Sequence, residues 1–142
     1  MAVLDAYAVV ALLRNEAAAD EVARLLTGPT LLTSVNGAEV IDQLVRVHGR
    51  DADDVEADLA LLGQARMTAE PVDGDTAVLA GRLRARHYHR VRCAVSLADC
   101  VAAAAAILAG RPLATADPPL AAVARAEGVR VIALPDSSGR RP

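Results

Sequence analysis

The sequence predicts an α/β domain built on a mainly parallel sheet. Short apolar runs alternate with segments whose apolar residues recur at helical spacing. Strands that alternate with helices favour parallel pairing. Turn residues also fall where helices should hand over to strands, at Gly28-Pro29, Gly110-Arg111-Pro112 and Gly128.

Taken in order, "AVL" at 2–4 is the first strand candidate, and Val9, Leu12 and Leu13 mark a helix after it. Val22, Leu25 and Leu26 mark a second helix, before the strand "TLLT" at 30–33. Val40, Ile41, Leu44 and Val45 mark the next helix, and Val55, Leu59 and Leu62 another. "RMTAEPV" at 66–72 is a weaker strand candidate, and Leu79 with Leu83 marks the helix that follows. "SLADCVAAAAA" starts a further helix. "RPLAT" at 111–115 and "VRVIAL" at 129–134 read as strands on either side of a helix opened by Pro118. No internal repeat is visible. Residues 1–135 are expected to form one domain, with "DSSGRRP" at 136–142 as a frayed, flexible C-terminal tail.

Composition narrows the function. A chain of 142 residues, 54% of them apolar, can bury one core, but 32 are Ala and none is Phe or Trp. That core must rely on Val, Leu, Ile and close helix packing. A net charge of −3 argues against a generally basic nucleic-acid binder, although charge can be locally segregated. All fifteen basic residues are Arg. The absence of Lys fits GC-rich codon usage, and it removes a residue that Schiff-base, Walker A and receiver-domain chemistries need. Cys93 and Cys100 make no metal-like CxxC pair and read as free thiols in a reducing compartment. No signal peptide is recognisable, and "CVAAAAAILAG" falls short of the ~20 residues of a membrane span. A soluble, cytoplasmic protein without membrane contact is expected.

Four acids stand out by position. Asp5 directly follows the first strand, flanked by apolar residues on both sides. Glu39 lies in the second turn of the helix after "TLLT", for which Ser34 is the expected N-cap. Asp99 lies three residues after Ser96 in a capping-box-like arrangement, and Asp117 follows the strand ending at Thr115. Ligands of open parallel sheets bind beyond the carboxyl ends of the strands, where these acids should project. Each has a plainer role open to it. Asp5 and Asp117 can cap helices, Asp99 can serve its capping box, and Asp42 shares roughly the face of Glu39. Four carboxylates in one crevice would repel each other unless cations neutralise them, and all-oxygen ligands suit Mg²⁺ or Mn²⁺. Such a site can activate water for in-line attack at phosphorus, with one ion or two.

"VLDAYAVVALL", "TSVNGAEV", "SLADCVAAAAA" and "LATADPPL" together resemble the PIN-domain nucleases, most closely the VapC toxins of bacterial type II toxin–antitoxin pairs. The resemblance runs from Val3 to about Leu134. It implies a three-layer α/β/α fold around a central parallel sheet. It also implies Mg²⁺- or Mn²⁺-dependent endoribonuclease activity on an RNA substrate, with 5′-phosphate and 3′-hydroxyl products. It further implies a cognate antitoxin protein and suggests a homodimer. Carried over by position, Asp5, Glu39, Asp99 and Asp117 match the family's acidic quartet, with Asp5, Asp99 and Asp117 as metal ligands. Thr115 matches a supporting hydroxyl, and Ser34 and Ser96 match small polar residues that start helices. Tyr7 departs from the Ser or Thr of many relatives, and Gly37 stands where a side chain is usual.

"GRLRARHYHRVR" at 81–92 is the one dense basic stretch. Arg82, Arg86 and Arg90 share a helical face at spacing four if the helix runs that far, and could contact RNA phosphates beside the crevice. The alternative is a solvated helix face. An all-oxygen site needs neither His87 nor His89, His48 has no visible partner, and Tyr88 reads as a partly buried packing residue.

Other classes fit less well. A haloacid-dehalogenase-like phosphatase needs a second Asp where Tyr7 stands. A receiver domain needs an acid pair at strand one and a late Lys. A Rossmann dinucleotide binder needs a glycine-rich first turn, which "LDAYAVV" lacks. A catalytically idle PIN-like module that binds RNA or protein, and a non-toxin RNA-processing nuclease, remain alternatives to the toxin.

Overall fold

A computed structural model describes residues 1–142. Its strands are β1 (Ala2–Leu4), β2 (Thr30–Thr33), β3 (Met67–Glu70), β4 (Leu113–Thr115) and β5 (Val131–Ala133). Its helices are α1 (Ala6–Leu13), α2 (Ala19–Leu25), α3 (Ser34–Asp42), α4 (Ala52–Gln64), α5 (Gly74–His87), α6 (Leu97–Ala109) and α7 (Pro118–Ala126), and a π-helical turn at Gln43–Val47 extends α3. All five strand candidates are strands, including the weaker one at β3.

The sheet is wholly parallel, in the order β3-β2-β1-β4-β5. The chain therefore starts at the centre, builds outward through β2 and β3, and returns to add β4 on the other side of β1. This reversal makes the carboxyl ends of β1 and β4 a topological switch point, where open α/β sheets hold their ligands. Asp5 directly follows β1 and Asp117 follows β4, so the order of strands sets two of the four acids side by side.

Successive strand residues face opposite layers. Val3, Leu31 and Leu113 join a core with α5, α6 and α7, while Leu4, Leu32 and Ala114 join a second core with α1, α2, α3 and α4. That is the expected three-layer α/β/α arrangement. Ala102–Ala106 of α6 are all buried against the sheet side, so small side chains replace the missing aromatics by letting backbone approach backbone. The helix stops at Gly110, whose φ of 60° is left-handed and favours glycine.

Two local expectations are corrected. Thr33, not Ser34, is the N-cap of α3: its hydroxyl accepts from the Asn36 N–H, and Ser34 is the first helical residue. Helix α5 ends at His87, and Arg90 lies beyond it in a tight loop closed by the His89–Cys93 pairing. At the C-terminus, Asp136 accepts from the Ser138 and Arg140 backbones, and Arg141 pairs with Glu21 at 2.5 Å. Cys93 and Cys100 are both free thiols. No helix is long and apolar enough to cross a membrane.

Candidate active site

At the switch point lies a cavity of about 400 Å³. Asp5, Glu39, Asp99 and Asp117 all line it, from four different segments of chain. Each segment delivers its acid for a local reason. The Asp5 carboxylate caps α1, accepting from the Ala8 N–H at 2.8 Å. Asp99 completes a capping box with Ser96: its carboxylate accepts from the Ser96 N–H at 2.8 Å while the Ser96 hydroxyl accepts from the Asp99 N–H at 3.0 Å. Asp117 caps α7, accepting from the Leu120 N–H at 2.8 Å. The capping roles and the shared cavity therefore coexist. One oxygen of each carboxylate ties down a helix N-terminus, whose dipole favours negative charge there.

Glu39 reaches the cavity from the second turn of α3. Its Oε1 accepts from Gln43 Nε2 at 3.2 Å, while its Oε2 is buried without any protein partner. A buried carboxylate oxygen left unpaired is costly. Asp5 is 2% exposed. Burial pushes its pKa from the ordinary 3.8 up to about 7, opposed by the Thr115 hydroxyl and the Ala8 amide and reinforced by Asp99 and Asp117. Burial likewise raises Glu39 and Asp117, and the charge of Asp99 adds to both shifts. The cavity thus holds more negative charge than its own residues neutralise.

The donor set fits a hard divalent cation: four carboxylates, one with an orphaned buried oxygen, and no sulfur or imidazole among them. The carboxylates share a cavity without being drawn into a ready-made cage of three.

Thr115 is fully buried in β4, and its hydroxyl accepts from the Asp117 N–H at 2.9 Å, fixing the turn that presents Asp117. Ser34 is exposed and lines a separate apolar hollow with Leu32, Gly37 and Leu59. Asp42 is paired with Arg46 on the surface at 2.6 Å and does not line the acid cavity. Arg82, Arg86 and Arg90 do not line it either, and Arg86 pairs with Glu127 beyond the end of α7. His87 meets the same Glu127 carboxylate at 2.6 Å, and the His89 ring accepts from the Val91 and Arg92 amides. His48 does have a neighbour, the Arg14 guanidinium. Tyr88 is exposed, not buried.

Two contributors, Asp136 and Asn36, are unmarked in the sequence, and a third, Tyr7, is marked there only as a departure from the family pattern. Asp136 sits on the cavity rim. It comes three residues after β5, so the rule that found Asp5 and Asp117 covers it too. Tyr7 lines the cavity and donates its hydroxyl to the Pro135 carbonyl at 3.0 Å, holding the segment that carries Asp136. Asn36 is fully buried; it receives the Thr33 hydroxyl at 2.5 Å and donates to the Ala98 carbonyl at 3.2 Å. No spacing rule marks it, because an Asn near a helix start reads as a cap.

Among solved structures the fold is well represented. The crystal structure of VapC20 from Mycobacterium tuberculosis, described as a toxin cleaving the sarcin-ricin loop, superposes with a TM-score of 0.70 at 20% identity, covering 86% of this chain and 94% of that one. A chain of VapBC2 from Rickettsia felis, bound to a DNA fragment from its promoter, gives 0.67 at 14% identity, covering 92% and 96%. FitAcB from Neisseria gonorrhoeae gives 0.64 at 22% identity, again covering 92% and 96%. No curated protein matches the sequence. The PIN-domain family model matches residues 2–128, nearly the whole folded chain, and on that match the protein belongs to the PIN-domain family.

Proposed function

We propose that this PIN-domain protein is a Mg²⁺- or Mn²⁺-dependent endoribonuclease and the toxin of a type II toxin–antitoxin pair. One observation carries the enzymatic reading. Four carboxylates from separate segments share one cavity, and burial, helped by the acidic neighbours, raises the pKa of the most buried of them, Asp5, to about 7. A fold that needed only helix caps would not gather the caps into one desolvated pocket.

In this reading Asp5, Asp99 and Asp117 would hold the cation, which would supply charge neutralisation, Lewis acidity toward phosphate oxygen and acidification of water. Glu39, oriented by Gln43, takes the proton of the attacking water. Water oxygen bonds to phosphorus, the bond from phosphorus to the ribose 3′-oxygen breaks, and that oxygen takes a proton from solvent and leaves as a hydroxyl, while Glu39 returns its proton to solvent. Thr115 and Asn36 fix the backbone on which the acids stand. The RNA substrate, a cognate antitoxin, a homodimer and a cytoplasmic setting belong to the same proposal. So does a nuclease domain over 1–135, with residues 136–142 as its C-terminal tail. Solved toxin and toxin–antitoxin structures of the same fold support it.

Single-stranded RNA incubated with Mn²⁺, with EDTA, and with Mn²⁺ plus the Asp99→Asn variant tests it. Cleavage in the first reaction only, leaving 5′-phosphate and 3′-hydroxyl ends, is expected. Equal loss of RNA in all three marks a contaminating nuclease and favours an idle RNA- or protein-binding module. A 2′,3′-cyclic phosphate product contradicts attack by water.

A further inference from the structure

We propose that Arg84 and Tyr88 form a stacking subsite for a base of single-stranded RNA, beside the acid cavity. The inference rests on the ribonuclease reading and deepens it. The chain has two Tyr and no Phe or Trp, and the two are used differently. Tyr7 is hydrogen-bonded at the acid cavity. Tyr88, at the end of α5, is 44% exposed. The Arg84 guanidinium lies 4.4 Å from its ring centroid, and Arg84 Nε donates to the Val95 carbonyl at 3.3 Å. The platform is therefore anchored before any ligand arrives.

With Gly81, Ala85 and Leu97, these two residues line a hollow of about 370 Å³. Leu97 is 56% exposed and follows Ser96, which lines the acid cavity. Neighbouring residues thus border both hollows. A Cβ at Gly81 would meet no protein atom within 4 Å, so the hollow has room for a larger side chain there.

Charge favours RNA as the occupant. Arg82, Arg84, Arg90 and Arg92 fall within this stretch of a chain of net charge −3, and all but Arg84 are exposed, while Arg86 is paired with Glu127. A second copy docked by two-fold symmetry would set this cationic surface against itself. A polyanion with flat bases meets both features: phosphates face the arginines and a base lies on the Arg84–Tyr88 stack.

The test is fluorescence anisotropy with a labelled single-stranded oligoadenylate in EDTA, which prevents cleavage. Stacking typically contributes ~1–3 kcal/mol per base, so Tyr88→Ala should weaken binding about 5-fold or more, while Tyr88→Phe stays within about twofold of wild type. The deficit should vanish on an abasic oligomer of the same length. Gly81→Leu should fill the hollow and weaken binding without lowering the melting temperature. Wild-type affinity in Tyr88→Ala overturns the subsite, as does its conversion of a dimer to a monomer at unchanged RNA affinity. Failure of wild type to bind overturns it too. The nuclease reading is judged separately by the cleavage assay, so loss of the subsite with intact Mn²⁺-dependent cleavage removes this inference alone.

Discussion

The side-chain amide of Asn36 donates to the main-chain carbonyl of Ala98 at 3.2 Å, tying the helix that carries Glu39 to the first turn of the helix that carries Asp99. Asn36 is wholly buried, and its oxygen is occupied by the Thr33 hydroxyl at the end of β2. One side chain therefore joins three elements beneath the acid cavity. Asn36→Ala removes the acceptor of the buried Thr33 hydroxyl and one donor to the Ala98 carbonyl, and should cost ~1–3 kcal/mol in urea unfolding. Cleavage per folded molecule should also fall, because Glu39 and Asp99 lose their common strut. An Asn36→Ala protein that is as stable and as active as wild type contradicts this role.

Asp5 makes stability depend on pH. Its pKa rises from 3.8 in the unfolded chain to about 7 in the fold, so between these values the folded state binds the proton that the unfolded state has released. Stability from this group is full below pH 3.8 and is lost as pH rises through about 7, by an amount on the order of 4 kcal/mol. In EDTA, wild type should lose stability across that window. Asp5→Asn, which carries no charge there, should flatten the profile. Parallel profiles for the two proteins would show that Asp5 is ionised in the folded state.

Cation binding should reverse that penalty. At about one hundred times its Kd, Mn²⁺ should stabilise wild type by ~2.7 kcal/mol, and EDTA should remove the gain. The gain should grow with pH, because the ligands must be ionised to bind. Asp99→Asn should respond weakly to Mn²⁺ in thermal unfolding. An equal response in wild type and Asp99→Asn would place the cation elsewhere on the protein.

Tyr7 and Pro135 offer a gentler test. Tyr7→Phe removes the hydroxyl that holds the Pro135 carbonyl, 128 residues away, and should cost ~0.5–1.5 kcal/mol. Hydrogen exchange should quicken across residues 134–140, the segment that brings Asp136 to the cavity rim, and stay unchanged in α6. Uniform acceleration throughout the chain would mean that the bond stabilises the whole fold and not this segment.

Much of this architecture was legible because burial writes a period into the sequence. Val3/Leu4, Leu31/Leu32 and Leu113/Ala114 feed the two cores alternately, and each run is bounded by helix-forming sequence or a turn. The acids were legible because strand ends in a parallel sheet point to one edge. Thr33 and Ser34 were exchanged because either hydroxyl can cap a helix, and only the register of β2 decides between them. The sequence leaves open whether the helix reaches Arg90, because no Gly or Pro between His87 and Arg90 signals the stop; the His89–Cys93 pairing beyond its end is tertiary. Asp136 reads as tail in the sequence because its placement depends on the distant Tyr7 hydroxyl. Asn36 carries no mark there because its partner, the Ala98 carbonyl, has no side-chain signature.

The account turns on whether the cavity of Asp5, Glu39, Asp99 and Asp117 takes up a divalent cation, and anomalous diffraction from a crystal soaked in Mn²⁺ measures that directly. It predicts an anomalous peak enclosed by the carboxylates of Asp5, Asp99 and Asp117. A peak bound only at other acids, or an empty cavity at saturating Mn²⁺, would contradict it.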